Sequence, residues 1–184
     1  TTGHKLRRRP LSQEEHDGLK ALHALGLGHL DTYHGATLVL EALLQAPDFL
    51  YHFEALPEAP ASSDDGIPLS SYELASRLSF FLWNTAPDEA RLQAAADGNL
   101  DTAEALLQMA EAMLQDPRAA QGVEAFFTSW LGLDGFERLN KNEREFPQYS
   151  TQMREAMFEE NMSFADYVVR QAAGRLHTLL PASF

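Results

Sequence analysis

Hydrophobic positions recur along most of this chain with the period of an α-helix. Between residues 71 and 83 the apolar side chains repeat at i, i+1, i+4, i+7 and i+8, as Leu74, Ala75, Leu78, Phe81 and Leu82. A second stripe repeats at i, i+3, i+4, i+7 and i+8, as Val123, Phe126, Phe127, Trp130 and Leu131. Trp83 and Trp130 each extend one of these stripes. We therefore expect both helices to be nearly surrounded by others, with both tryptophans in the core.

Start and stop signals divide the rest of the chain into further helices. Ser12 and Glu15 have the spacing of a capping box, and the helix that they open is expected to run to about Leu25. Gly26 and Gly28 are read as its end. Other helices are expected from Asp31 or Thr32 to Ala46, over residues 48–53 and 87–96, and over about 150–171. Between them, Asp101 caps a helix that reaches Leu114, and Asp116-Pro117 restarts the chain before the helix that carries the second stripe. No alternating apolar run indicates a strand. The pattern predicts an all-α fold, an irregular bundle of seven or eight helices that form one body or two packed subdomains.

One stretch lacks any apolar periodicity. Residues 56–68 contain three prolines and a glycine among acidic and small residues. We interpret this stretch as a linker. It predicts a small helical subdomain at 7–54, a linker at 55–68 and a larger helical domain at 69–184.

Charge and composition exclude several classes of protein. The formal net charge is −13, whereas nucleic-acid binders are usually basic, so no nucleic-acid partner is expected. The basic cluster Lys5, Arg7, Arg8 and Arg9 is interpreted as a solvated segment or a tag remnant beside a helix start, or as a phosphate-binding arm. No run of 18 apolar residues occurs, so no membrane span is expected. The chain has no cysteine, which excludes disulfides, thiolate metal sites and covalent c-type haem attachment.

Histidine spacing argues against a metal site. The seven histidines include no i, i+4 pair and no Glu-x-x-His motif. The residues that come closest to a set of metal ligands are His34, Glu41 and His52. The sequence therefore predicts no metal ion and no cofactor.

Carboxylates supply the only other candidate chemistry. Glu155 and Glu159 are four apart on the last helix and Glu160 follows, which is typical of a solvated acidic face. Glu73 and Arg77 are also four apart, so an ion pair with a partly buried Arg77 is expected. If the chain were an enzyme, Glu73, Glu159 or Glu160 would be its first candidates, but the sequence assigns no catalytic residue.

Several short sequence segments occur in a characteristic order. They lie at 8–12, 42–51, 72–83, 86–88, 113–118, 130–131, 146–147 and 156–160. In that order the chain resembles the paired helical domains of unknown function of large secreted proteins of planctomycetes and some myxobacteria. Those domains commonly lie next to cytochrome c-like domains. The resemblance implies that the chain is a piece of a longer, exported protein, located in the periplasm or outside the cell.

Three functions are consistent with these features. The first is a non-catalytic helical scaffold that packs against neighbouring domains of its parent, among them a cytochrome c-like domain where redox chemistry is involved. The second is part of an extracellular enzyme that uses carboxylates on a polymeric or small-molecule substrate. The third is a histidine-based metal site or a haem contact.

Overall fold

The computed structural model describes residues 2–29, 32–52, 68–171, 174, 175 and 178. Within these residues the protein has nine α-helices and no strand, which confirms the all-α irregular bundle and adds one helix to the predicted number. The helices are α1 Thr2–Arg7, α2 Gln13–His29, α3 Thr32–Leu44, α4 Pro47–Leu50, α5 Ser71–Trp83, α6 Glu89–Ala96, α7 Ala103–Gln115, α8 Ala119–Trp130 and α9 Thr151–Asp166. A 3₁₀ turn, Phe136–Arg138, precedes α9, and a π-helical turn, Tyr167–Gln171, extends it.

Helix starts follow the side-chain caps in the sequence. The Ser12 hydroxyl accepts from the Glu15 amide at 3.1 Å and the Glu15 carboxylate accepts from the Ser12 amide at 2.8 Å, so the predicted capping box is confirmed. Asp88 caps α6 and Ser150 caps α9 with one side-chain hydrogen bond each, accepted from the amides of Arg91 and Met153.

The predicted end of α2 at Gly26 is wrong. The helix continues through Gly26 and Gly28 to His29. A Cβ atom at Gly26 would lie 2.5 Å from the Cα atom of Gly35 on α3, and both glycines are buried. Gly26 therefore serves the close approach of two helices rather than a helix terminus.

The chain divides into two compact units, which are described separately. The first comprises residues 1–77 and 86–103 and the second comprises 78–85 and 104–184. The predicted linker lies, apart from Pro68, outside the described residues. The division at 55–68 therefore stays a prediction.

In the first unit, α2 and α3 form a closely packed helical pair, and α1 packs against α3 and α4. The unpredicted helix α1 adds two contacts to later parts of this unit. His4 meets the ring of Tyr72 edge-on with centroids 6.2 Å apart, and Lys5 pairs with Glu89 at 3.3 Å on the surface. The N-terminal residues are thus part of the folded unit.

Two hydrophobic clusters lie among the described residues of the second unit. One is built on Trp83, Met113 and Ala119, and the other on Val123, Phe127 and Ala165. Trp83 is completely buried, which confirms its predicted place in the core.

The prediction for Trp130 is wrong, because 55% of this residue is exposed. The same correction applies to Phe81, Phe126 and Leu131 of the two predicted stripes, which are also exposed. The apolar residues Leu107 of α7 and Met153 and Met157 of α9 are exposed as well. Helical periodicity identified the apolar side of each helix, but the neighbouring helices cover only part of that side.

The segment between α8 and α9 is irregular but anchored. The carbonyl of Leu139 accepts hydrogen bonds from the Tyr149 hydroxyl and from the Arg154 guanidinium, both at 3.2 Å. Phe136 packs against Phe158 of α9 with ring centroids 6.3 Å apart. Among the helices described, none has the length and apolar character needed to cross a membrane.

Candidate functional site

Two arginines and two carboxylates form a compact network at the N-terminal end of the first unit. Arg7 donates to Glu15 at 3.0 Å and to Asp48 at 2.9 Å, and Arg9 donates to the same two carboxylates at 2.7 Å each. Each carboxylate therefore lies between two guanidinium groups. The side chains of Arg7, Glu15 and Asp48 are about one-fifth exposed, so solvent screens these ion pairs less than typical surface pairs. The network joins the start of α2 to the start of α4.

Arg8 lies between these two arginines but has a different task. It is only 8% exposed, and its guanidinium donates to the backbone carbonyl of Asp48 within α4 and to that of Tyr51, which directly follows α4. The cation thus binds backbone carbonyls of this one-turn helix and of the residue after it. Its backbone has φ = 56°, a left-handed conformation that is uncommon for residues other than glycine.

The network shifts the protonation equilibria of its members. Hydrogen bonds from Arg9, together with the Ser12 amide and the charges of Arg9 and Arg7, lower the pKa of Glu15 to about 2. Burial opposes the ionised form of Asp48, but hydrogen bonding and charge from Arg7, with help from Arg9, still hold its pKa below the ordinary value. Burial lowers the pKa of Arg8. Both carboxylates are therefore anions at neutral pH, and their charge is used within the fold.

The predicted roles of this basic cluster are therefore wrong for its three arginines, whereas Lys5 is solvated, with 61% of its side chain exposed. Arg7 and Arg9 are bound to carboxylates and Arg8 is buried, so these side chains form neither a solvated segment nor a phosphate-binding arm. Glu15 is close to Arg7 and Arg9 in the sequence, but Asp48 lies about 40 residues after these arginines. Only the tertiary fold brings Asp48 to them.

A second polar cluster surrounds Trp83 in the second unit. The indole N–H of Trp83 donates to the carbonyl of Met113 at 2.9 Å, and the guanidinium of Arg118 lies 3.5 Å above the ring centroid. Asp116 holds Arg118 in place by accepting from its Nε at 2.8 Å and from Nη2 at 2.7 Å. This bidentate pair orients the cation over the aromatic ring.

The backbone beside Trp83 requires a glycine on α8. A Cβ atom at Gly122 would lie 2.1 Å from the carbonyl oxygen of Leu82 and 3.2 Å from the amide nitrogen of Trp83. The sequence segments 72–83 and 113–118 thus contact each other in this cluster, as segments 8–12 and 42–51 do in the arginine network. The contacts between these segments stabilise the fold.

An aromatic face on α8 also departs from the predicted core. We define it by Phe126 and Trp130, which are 57% and 55% exposed. Their rings stack with centroids 5.9 Å apart and an interplanar angle of 24°, and both rest edge-on against the buried ring of Phe127. The same side of the helix is covered at Ala119 and Val123. The apolar stripe of α8 therefore continues beyond the helices that cover it.

The three candidate catalytic carboxylates are placed differently. Glu73 accepts from the amide and hydroxyl of Ser70, both at 2.7 Å, as the second half of a capping box at the start of α5. Glu159 and Glu160 are exposed on α9. Arg77 is also exposed, so its predicted partial burial is wrong. Glu73 thus has a structural role, and neither glutamate on α9 lies in an enclosed site.

The candidate metal ligands also lie at the surface. His34 and Glu41 are exposed on α3, and His52 is exposed just after α4. In the described part of the chain, no three His, Cys, Asp or Glu side chains are grouped so that they could hold a metal ion. An open depression on α7 is lined by Gln108, Glu111, Ala112, Leu114 and Gln115. Because all its lining residues come from one helix, it is a surface groove rather than an enclosed site.

Comparison with known proteins gives two matches to family models. Residues 69–184 match PSD4, a protein of unknown function (DUF1592), and residues 1–54 match PSD5, a protein of unknown function (DUF1595). No curated protein and no solved structure matches the chain. These matches confirm the resemblance to paired domains of unknown function, and the first spans well over half of the sequence. The chain belongs to the PSD4 family, DUF1592.

Proposed function

We propose that this chain is a non-catalytic helical module that packs against neighbouring domains of a larger exported protein. The observation that carries the proposal is the aromatic face of α8, where Phe126 and Trp130 are more than half exposed although they continue a buried stripe. Exposed aromatic side chains are enriched at protein interfaces and are the commonest energetic anchors there. A partner that covers this face would complete the apolar stripe.

The use of the charged groups supports the same function. Glu15 and Asp48 are bound to arginines, Glu73 closes a capping box, and Asp116 orients Arg118. These groups stabilise helix starts and helix contacts. An active site, in contrast, needs polar groups that converge on a space that a substrate can enter.

The resemblance to the paired helical domains of large secreted proteins supports a partner from the same parent protein. We propose a neighbouring domain of the same parent, including a cytochrome c-like domain, in the periplasm or outside the cell. The chain would then be a scaffold beside any redox centre and would hold no haem itself.

Oxidative footprinting of the two tryptophans tests this proposal. Hydroxyl radicals should modify Trp130 readily in the isolated chain and spare Trp83, which is completely buried. When the neighbouring domains are present in the same polypeptide, Trp130 should become protected and Trp83 should stay unreactive. Trp83 thus serves as an internal control for unfolding. Equal modification of Trp130 with and without the neighbouring domains would refute the proposal.

A further inference from the structure

The first compact unit contains residues from both family matches. One match covers residues 1–54 and the other begins at residue 69, whereas the unit comprises residues 1–77 and 86–103. The start of α5 and the whole of α6 therefore belong to the same unit as α1 to α4. The boundary between the two compact units lies within the second match.

Helix α1 contacts elements of both matches. It packs against α3 and α4, which lie in the first match. The ring of His4 meets the ring of Tyr72, the second residue of α5, and the Nε2 atom of His4 is inaccessible to solvent. Lys5 pairs with Glu89, the first residue of α6, but this ion pair is exposed and contributes little. The enclosed contact of His4 with Tyr72 is thus the stronger of the two.

The short helices of this unit depend on packing for their stability. Helix α1 has six residues and α6 has eight, and isolated helices of this length are not stable in water. Leu92 and Ala95 of α6 are nevertheless only 0% and 5% exposed. The Ser71 hydroxyl donates to the Asp101 carboxylate at 2.5 Å, which joins the start of α5 to the residues after α6. Helix α6 is therefore stabilised by its neighbours in the fold, and its unit also contains α1 to α4.

We infer that α1 to α4, the start of α5 and α6 open as one cooperative unit, and that α1 is the element that joins its two parts. The interface consists of α1 on one side and the starts of α5 and α6 on the other. The segment matched by one family model is thus a binding partner for the start of the segment matched by the other. A surface connection at 55–68 is compatible with this inference, because such a connection can join two parts of one unit. The inference is independent of the proposed function, since it concerns contacts within the chain.

Hydrogen exchange of the full chain tests the inference, because native proteins open in cooperative units with different free energies. Gly26→Ala perturbs the contact between α2 and α3, which lies wholly within the first match. The most protected amides of α6 should lose protection by the same factor as those of α3, up to about a hundredfold. The amides of α8, in the second unit, should keep their protection.

Gly18→Ala is the matched control for this variant. A Cβ atom at Gly18 would meet open space, so this change should not lower the protection of either helix.

His4→Ala tests the role of α1 with a milder change. Loss of the edge-on contact with Tyr72 should lower the protection of α3 and α6 together by about threefold to tenfold. His16→Ala removes an exposed histidine from α2 and should leave both helices unchanged. This pair also supplies the test if Gly26→Ala does not fold.

Three results would overturn the inference. If α3 loses protection in Gly26→Ala and α6 does not, the first match opens by itself. If α8 loses protection by the same factor, the whole described chain opens at once and the first unit is not distinct. If His4→Ala changes neither α3 nor α6, α1 does not join the two parts. None of these variants alters the aromatic face of α8, so footprinting of Trp130 decides the proposed function separately.

Discussion

Replacing Trp83 and Trp130 by alanine, one at a time, should separate a core tryptophan from a surface tryptophan. Trp83 is completely buried, and removal of a fully buried tryptophan side chain costs about 3–5 kcal/mol. The change also removes the hydrogen bond to the Met113 carbonyl, worth about 1 kcal/mol, and the contact with Arg118. The Met113 carbonyl also accepts from the Asp116 amide, so it is not left without a partner. Trp83→Ala should therefore lower the free energy of unfolding by about 4–6 kcal/mol.

Trp130 is covered over a little less than half of its surface. Scaling the cost of a fully buried tryptophan by this fraction gives about 1.5–2 kcal/mol for Trp130→Ala. The free energies of unfolding of the two variants should thus differ by at least about 2 kcal/mol, although the helical periodicity of the sequence predicts a core position for both tryptophans. Trp83→Phe keeps a ring under Arg118 and loses the N–H, so it should fall between them.

Urea unfolding followed by far-UV circular dichroism measures these differences, provided that the dependence on denaturant concentration stays the same among the variants. If Trp83→Ala is so unstable that no folded baseline remains, Trp83→Phe still supplies the comparison with Trp130→Ala. A difference below about 1 kcal/mol between the two alanine variants would refute the reasoning, because it would mean that burial does not set their cost.

Three further predictions test other parts of the structure. Because the pKa of Glu15 is held at about 2, its contribution to stability should be complete above about pH 4.5 and should be lost as the pH falls towards 2. Glu15→Gln should therefore flatten the dependence of the urea midpoint on pH in this range. An unchanged profile would contradict the ion-pair network. A Cβ atom at Gly26 would meet the backbone of Gly35, whereas one at Gly18 would meet open space. Gly26→Ala should therefore lower the free energy of unfolding by up to about 3 kcal/mol, and Gly18→Ala should raise it by about 0.5–1 kcal/mol. Equal thermal midpoints for the two variants would count against the close approach of α2 and α3. The hydroxyl of Ser79 is fully buried and has no hydrogen-bond partner among the described residues. Ser79→Ala should therefore raise the free energy of unfolding by about 1 kcal/mol. A decrease of that size in the free energy of unfolding would show that the hydroxyl is hydrogen-bonded.

Local sequence signals determined where most helices begin. The capping box of Ser12 and Glu15 and the Ser150 cap involve residues three apart, so their geometry depends only on the neighbouring backbone. Helical periodicity likewise identified the apolar side of α5 and of α8. These are short-range properties, and they were sufficient for the all-α fold and for the resemblance to the family.

Long-range contacts decided the rest. Asp48 joins Arg7 and Arg9 across about 40 residues, and Gly26 meets Gly35 only because two helices cross there. Neither partner could be inferred from spacing, since the sequence does not state which segments become neighbours.

The aromatic face of α8 shows the same limit at the candidate site. Periodicity places Phe127 and Trp130 on one side of the helix, and that side must be shielded from water wherever another element packs against it. Whether a shield is present depends on where the other helices lie, and in this fold they cover Phe127 and leave Trp130 more than half exposed. The sequence by itself therefore determined which side of α8 is apolar, and only the tertiary structure decided which part of that side remains open to a partner.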